Sequence, residues 1–210
     1  MVAKTKKTAT VQITAPNFQY AKFTLIGTSP YLSNKFQNRD GFIAAYAEGS
    51  KRNVRRSREG TDFDATWPRS VHWSTDGWAG LPANMFRNAM VSACKLCGFK
   101  MTLAKLSIFT EADGYDNEEH TPLIRITKGE FQKNVSMTRN ADGSPNVLAR
   151  GLLPEGWEAS ITVRFDADQF SQQDIANLLS RVGMQVGIGA GRADSKTSCG
   201  IGMGHFKLGD

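Results

Sequence analysis

The segment FSQQDIANLLSRVG, Phe170 to Gly183, reads as a helix with both ends marked. Ser171 is a good N-cap, Asp174 sits three residues on, and Phe170 and Ile175 occupy staple positions. Gly183 ends the pattern. Ile175, Leu178, Leu179 and Val182 form one apolar stripe, and a helix with a single stripe must lay it on another element. LPANMFRNAMVSACKLCG supplies a second such helix. Pro82 suits its first turn and Gly98 the residue past its end, while Met85, Phe86, Ala89, Met90, Ala93, Leu96 and Cys97 recur on one face.

Period-two alternation predicts the strands these helices cover. YAKFTLI turns Ala21, Phe23 and Leu25 inward and Tyr20, Lys22 and Thr24 outward. LAKLSIF buries Ala104, Leu106 and Ile108 and exposes Lys105, Ser107 and Phe109. EASITVRF buries Ala159, Ile161, Val163 and Phe165 and exposes Ser160, Thr162 and Arg164. The final GHFKL buries Phe206 and Leu208 and exposes His205 and Lys207. PLIRIT and KNVSMTR read as shorter extended stretches. Stripped of insertions, the order is strand, helix, strand, strand, helix, strand. That order predicts an α+β protein: a ferredoxin-like or RRM-like βαββαβ antiparallel sheet with two helices on one face. Residues 1–210 are read as one domain with two insertions, 28–80 (basic, tryptophan-rich) and 111–121 (an acidic hairpin).

Charge narrows the function. The net charge is +6, and the excess is concentrated: KRNVRRSR carries Lys51, Arg52, Arg55, Arg56 and Arg58 with no acid between them. A clustered basic segment followed by Trp67, Trp73 and Trp78 fits phosphate neutralisation beside stacking rings. The sheet face away from the helices would add Tyr20, Lys22, Lys105, Phe109, Arg164, His205 and Lys207. An ordinary solvated sheet face has a similar composition, so that feature alone does not decide. No run of about eighteen apolar residues exists, which excludes a membrane span. Three cysteines and no secretory signal predict a cytoplasmic protein.

Enzymatic and metal readings fare worse. Cys94 and Cys97 form a CxxC inside a helix with only Cys199 elsewhere, too few ligands for a structural zinc. Glu111, Asp113, Asp116, Glu118 and Glu119 match no metal loop and read as a solvated acidic turn. None of His72, His120 and His205 has a sequence-local partner resembling a nucleophile site. GIGAGR follows a helix where a dinucleotide fingerprint follows a strand, and GRADSKTS lacks the glycine before lysine that a P-loop requires. No metal and no cofactor are expected.

The tail VGIGAGRADSKTSCGIGMGHFKL, between the second helix and the last strand, resembles the glycine-rich signature of the RAMP superfamily, the ferredoxin-fold RNA-binding proteins of CRISPR systems. The helix opening with Pro82, Asn84 and Arg87 is similar to the first helix of that family, although the usual serine–glycine start is missing. The basic insertion resembles the thumb of the CRISPR backbone subunit, which assembles side by side along guide RNA. The resemblance covers the helices, the tail and the strand order, about half the chain, and phage-encoded proteins carry similar tails. It implies a non-catalytic protein that binds single-stranded RNA or DNA and multimerises along it as a homo-oligomer or filament, in the host cytoplasm if phage-encoded. Gly189, Gly191 and Gly202 would let backbone approach a phosphate, their N–H groups forming an anion-binding hollow, with Arg192 and Lys196 adding charge and Arg87 contributing from the helix. The resemblance also leaves open a metal-independent endoribonuclease, with His205 as first candidate, and a third reading is a phage structural or interaction subunit.

Overall fold

The computed structural model describes residues 13–37, 39–47, 62–139, 143–194 and 201–209. Strands β1 (Phe18–Gly27) and β2 (Tyr31–Leu32) precede helices α1 (Arg39–Ala47) and α2 (Phe63–Thr66). Next, β3 (His72–Trp73) and β4 (Ala79–Pro82) lead into α3 (Ala83–Ala93) and α4 (Met101–Ser107). Six strands follow: β5 (Ile108–Thr110), β6 (Gly114–Tyr115), β7 (Pro122–Lys128), β8 (Gln132–Arg139), β9 (Pro145–Leu153) and β10 (Glu158–Asp166). Helix α5 (Gln172–Arg181) and strand β11 (Phe206–Leu208) complete the order.

The main sheet runs β11-β1-β10-β7-β4-β3, with β5 also pairing β10 and β6 pairing β7. Its centre is the antiparallel pair of β1 and β10, in register from Phe18↔Asp166 to Ile26↔Glu158. Alternation in both strands is regular, so Ala21, Leu25, Ala159, Ile161, Val163 and Phe165 all reach one face and are buried there. Against that face lie α3 and α5, through Phe86, Met90, Ile175, Leu178 and Leu179. Phe206 of β11 meets both Phe86 and Trp157 edge-on, with centroids 6.2 Å apart in each pair. Each such large side chain contributes roughly 1.5–3 kcal/mol by burial. A second sheet, β2-β9-β8, stands beside the first. The α+β architecture with helices on one face of an antiparallel sheet is the one expected. The Ser171–Asp174 capping box is formed in both directions, and Phe170 is buried beside Ile175.

Three local expectations are corrected. LAKLSIF is not a strand: residues 101–107 are helical and only Ile108 onward is extended. Ala104, Ser107 and Ile108 are buried while Leu106 is 73% exposed. Periods of two and of 3.6 share the spacing i, i+4, which Ala104 and Ile108 satisfy in both. Leu96 and Cys97 are exposed, because α3 tightens into a 3-10 turn at Cys94–Cys97 before the left-handed Gly98, and the face rotates. Cys94 remains buried, and desolvation pushes its thiol up to about 11. The helix ending expected at Gly183 instead continues as a π-turn through Val186 to Gly187. The span read as an insertion, 28–80, holds β2, β3 and the start of β4, which join the two sheets.

Candidate nucleic-acid interface

Three chain segments converge beside the start of α3. Ser33 N–H donates to Gly151 O at 2.9 Å and Lys35 N–H to Ser70 O at 3.2 Å, which draws the segment after β2 against the turn before β3. An isolated bridge, Ser74↔Asp116, and the bond from Asn117 N–H to Trp73 O (2.9 Å) bring the end of β6 to the same place. Lys35, His72 and Asp116 thereby meet in the interior, all buried.

Asp116 is the hub. Lys35 Nζ donates to its two carboxylate oxygens at 3.1 and 3.0 Å, and the backbone N–H groups of Glu118 and Glu119 reach Oδ1 at 2.9 Å each. His72 Nδ1 lies 3.1 Å from Oδ2. Burial raises the Asp116 pKa, but the two N–H donors and Lys35 outweigh it and hold the carboxyl below its ordinary value. For Lys35 burial acts downward, and Glu118 and Asp116 together shift the ammonium upward. Burial dominates for His72 and lowers its pKa despite the bond to Asp116. The acidic stretch read as a solvated turn therefore contains a fully buried carboxylate.

One ring of this cluster opens onto a groove of about 410 Å³. Its walls are Tyr31 and Asn34 after β1, His72, the α3 residues Asn84, Met85, Asn88 and Ser92, Lys105 of α4, and Gly187, Gly189, Arg192 and Asp194 of the glycine tail. Asn84 and Asn88 are one turn apart on the same helix face. Pro82, the N-cap of α3, makes no side-chain cap, so the helix's first N–H groups and the positive end of its dipole suit an anion. Arg192 donates to Gly189 O at 3.0 Å, which uses one of its five N–H donors. Asp194 accepts from Ser92 Oγ.

The described part of the glycine tail is tied into the protein's own fold. Three of its N–H groups bond backbone carbonyls: Ile188 N–H bonds Gly204 O (3.0 Å), Gly204 N–H bonds Pro30 O (2.8 Å), and Ala190 N–H bonds Leu32 O (2.9 Å). Gly189 is buried under Tyr31 and Leu32, where a Cβ would overlap the tyrosine ring. A Cβ at Gly204 would overlap Ile188 O. Close backbone approach is needed, but the partner is backbone of this chain. Gly191 faces Ile201 and Met203, and Gly202 has open space beside it.

The outer sheet face is likewise organised internally. Arg164 lies over the rings of Phe18 and Phe109 at 4.9 and 4.7 Å and donates to Glu111 at 2.9 Å. Arg87 sits over Phe109 at 5.2 Å and donates to the carbonyls of Ile108 (3.0 Å) and Lys105. Arg87 and Arg164 thus both lie over Phe109, whereas Tyr20 and Lys22 stay exposed on that face. The tryptophans expected in an open insertion are half-buried: Trp73 Nε1 donates to Pro68 O, and Trp78 packs over Gly80 and Gly114 with Arg125 above it. Trp67 is half-buried in the 3-10 turn Trp67–Ser70. His205 anchors the tail through Ser29, and its Nε2 is buried without a partner. Lys51, Arg52, Arg55, Arg56, Arg58 and Lys196 lie outside the described residues. Of the residues picked from sequence, the groove gathers Lys105, Gly189 and Arg192, together with Pro82 and Asn84 of the family-like helix start; it adds Tyr31, Asn34, His72 and Asn88, which carry no motif.

No family model matches the chain, and no curated protein matches it. Among solved structures, a chain of the cryo-EM structure of the Type III-B Cmr-beta bound to cognate target RNA is similar, with a TM-score of 0.50 and 12% identity. The similarity covers 92% of this chain and 59% of that one, so this chain spans well under two thirds of its neighbour's length. The two share a fold.

Proposed function

We propose that this protein binds single-stranded nucleic acid non-catalytically, as a RAMP-like protein, with the groove beside α3 as its strand-binding surface. The observation that carries the reading is the groove itself: Arg192 and Lys105 line it together with the amide side chains of Asn84 and Asn88, at a helix start with no side-chain cap. Cations neutralise phosphates while amides and hydroxyls fix the strand's position. The fold shared with a chain from an RNA-bound assembly supports this reading. Phosphate contact by the arginine run at 51–58 and by Lys196, which lie outside the described residues, and multimerisation along the strand are parts of the same proposal. Its His205 alternative, strand cleavage, gains no support from a ring whose Nε2 is sealed from solvent.

The test is fluorescence anisotropy with a labelled single strand across a salt series. Each phosphate contact contributes roughly 0.7 to the slope of log affinity against log salt. Arg192→Ala and Lys105→Ala should each lower that slope by about one contact's share. Binding that ignores salt, or a slope that neither variant changes, refutes the groove.

A further inference from the structure

We infer that His72 is a specificity-determining residue of the groove: its Nε2 accepts a hydrogen bond from a ribose 2′-hydroxyl and so selects RNA over DNA. The inference rests on the groove holding a nucleic-acid strand. Its starting point is the tautomer. A carboxylate is acceptor-only, so the 3.1 Å contact with Asp116 Oδ2 requires the proton on Nδ1. The other ring nitrogen then carries a lone pair and no hydrogen.

His72 is buried yet lines the groove, and the Nδ1 side of its ring is turned to Asp116, which leaves Nε2 for the groove. The acceptor state is robust. Burial and the nearby Lys35 charge both oppose a second proton, while the bond to Asp116 and the Glu119 charge favour it, and the balance lies on the neutral side. Lys35 and the N–H groups of Glu118 and Glu119 hold Asp116 from the other directions, so the carboxylate cannot turn away.

The ligand must then present a donor at this corner. Phosphate and ring oxygens of a nucleic-acid backbone only accept hydrogen bonds. The one backbone donor is the 2′-hydroxyl, present in ribose and missing from deoxyribose. A neutral Nε2 is therefore a poor neighbour for a phosphate and a good one for ribose. Lys35 and Asp116 act as positioning residues, which gives a buried ion pair next to a groove a definite task.

The experiment compares wild-type protein with three labelled strands of one mixed sequence: RNA, DNA and 2′-fluoro RNA. Fluorine at the 2′ position keeps an RNA-like sugar pucker but cannot donate. RNA should bind about five- to tenfold more tightly than either of the others, the value of one hydrogen bond. His72→Phe should shrink that ratio to near one, while His120→Asn, on the exposed turn, should leave it intact. The ratio is read on folded protein only, and the fluoro strand tests the idea without any substitution. Equal binding of RNA and 2′-fluoro RNA overturns the inference, as does a preference that survives His72→Phe. A His72→Phe loss equal for RNA and DNA would assign Nε2 to a base donor and overturn it also. Binding of no strand at all defeats the groove reading itself.

Discussion

Replacing Asp116 by alanine should be among the most damaging single changes in this protein. The carboxylate has no exposed surface and accepts from Lys35, His72 and two backbone N–H groups. Removing one partner of a buried pair strands the other charge, and such changes cost about 3–5 kcal/mol. Lys35 would keep Glu118, 2.8 Å away, but that side chain is 58% exposed and compensates only in part. The expected loss is therefore near the lower end, about 3 kcal/mol. With a urea m-value of roughly 2 kcal/mol per molar, the unfolding midpoint should fall by about 1.5 M. The double variant Lys35→Met, Asp116→Leu removes both charges and should be distinctly more stable than Asp116→Ala alone. A midpoint shift under about 0.5 M for Asp116→Ala would refute the reasoning, as would a double variant no better than the single.

Acid should destabilise the protein in two stages. His72 is held below its ordinary value, so the unfolded chain binds more protons as pH falls from about 6.5, and stability declines down to the folded pKa. Asp116, held low, contributes stability above about 3.9 that is lost on further acidification; urea midpoints that stay flat from neutral pH downward would contradict both. Gly204→Val should prevent folding or cost at least ~2 kcal/mol, since φ is +72° and a Cβ would overlap Ile188 O. Gly156→Ala, at φ +85° with nothing nearby, should cost only about 1 kcal/mol, and equal losses in thermal melts would show that close approach is irrelevant.

What the chain discloses in sequence is local. Ser171, Asp174 and the Ile175–Leu179 stripe specify α5 within fourteen residues, and regular alternation specifies β1 and β10. The misreading of 103–107 arose because Ala104 and Ile108 satisfy two periods, and only packing shows which one holds. The groove was legible where it used charge or glycine, as at Arg192 and Gly189. It was illegible at Lys35, His72 and Asp116, which lie on three distant segments and make no pattern until the sheets form. Asp116 was further hidden by its acidic neighbours, since nothing local separates one buried carboxylate from the exposed Asp113 and Glu118 beside it. The glycines were visible, but their purpose depends on Tyr31, Leu32 and Pro30 passing beneath them.

The central pairing also sets a timetable for synthesis. Phe18 pairs with Asp166, and Leu25 pairs with Ala159 on one side and Leu208 on the other. Among the described residues, β1 is thus flanked by β10 and β11, both made far later in the chain than β1 itself. Leu25, with no exposed surface in the folded protein, must wait uncovered until Ala159 and then Leu208 have been made. Proteins dominated by such distant contacts fold slowly, and their open strand edges attract other chains meanwhile. Recombinant yield should accordingly respond to slower growth temperature and to chaperone supply more than to surface substitutions in the native state.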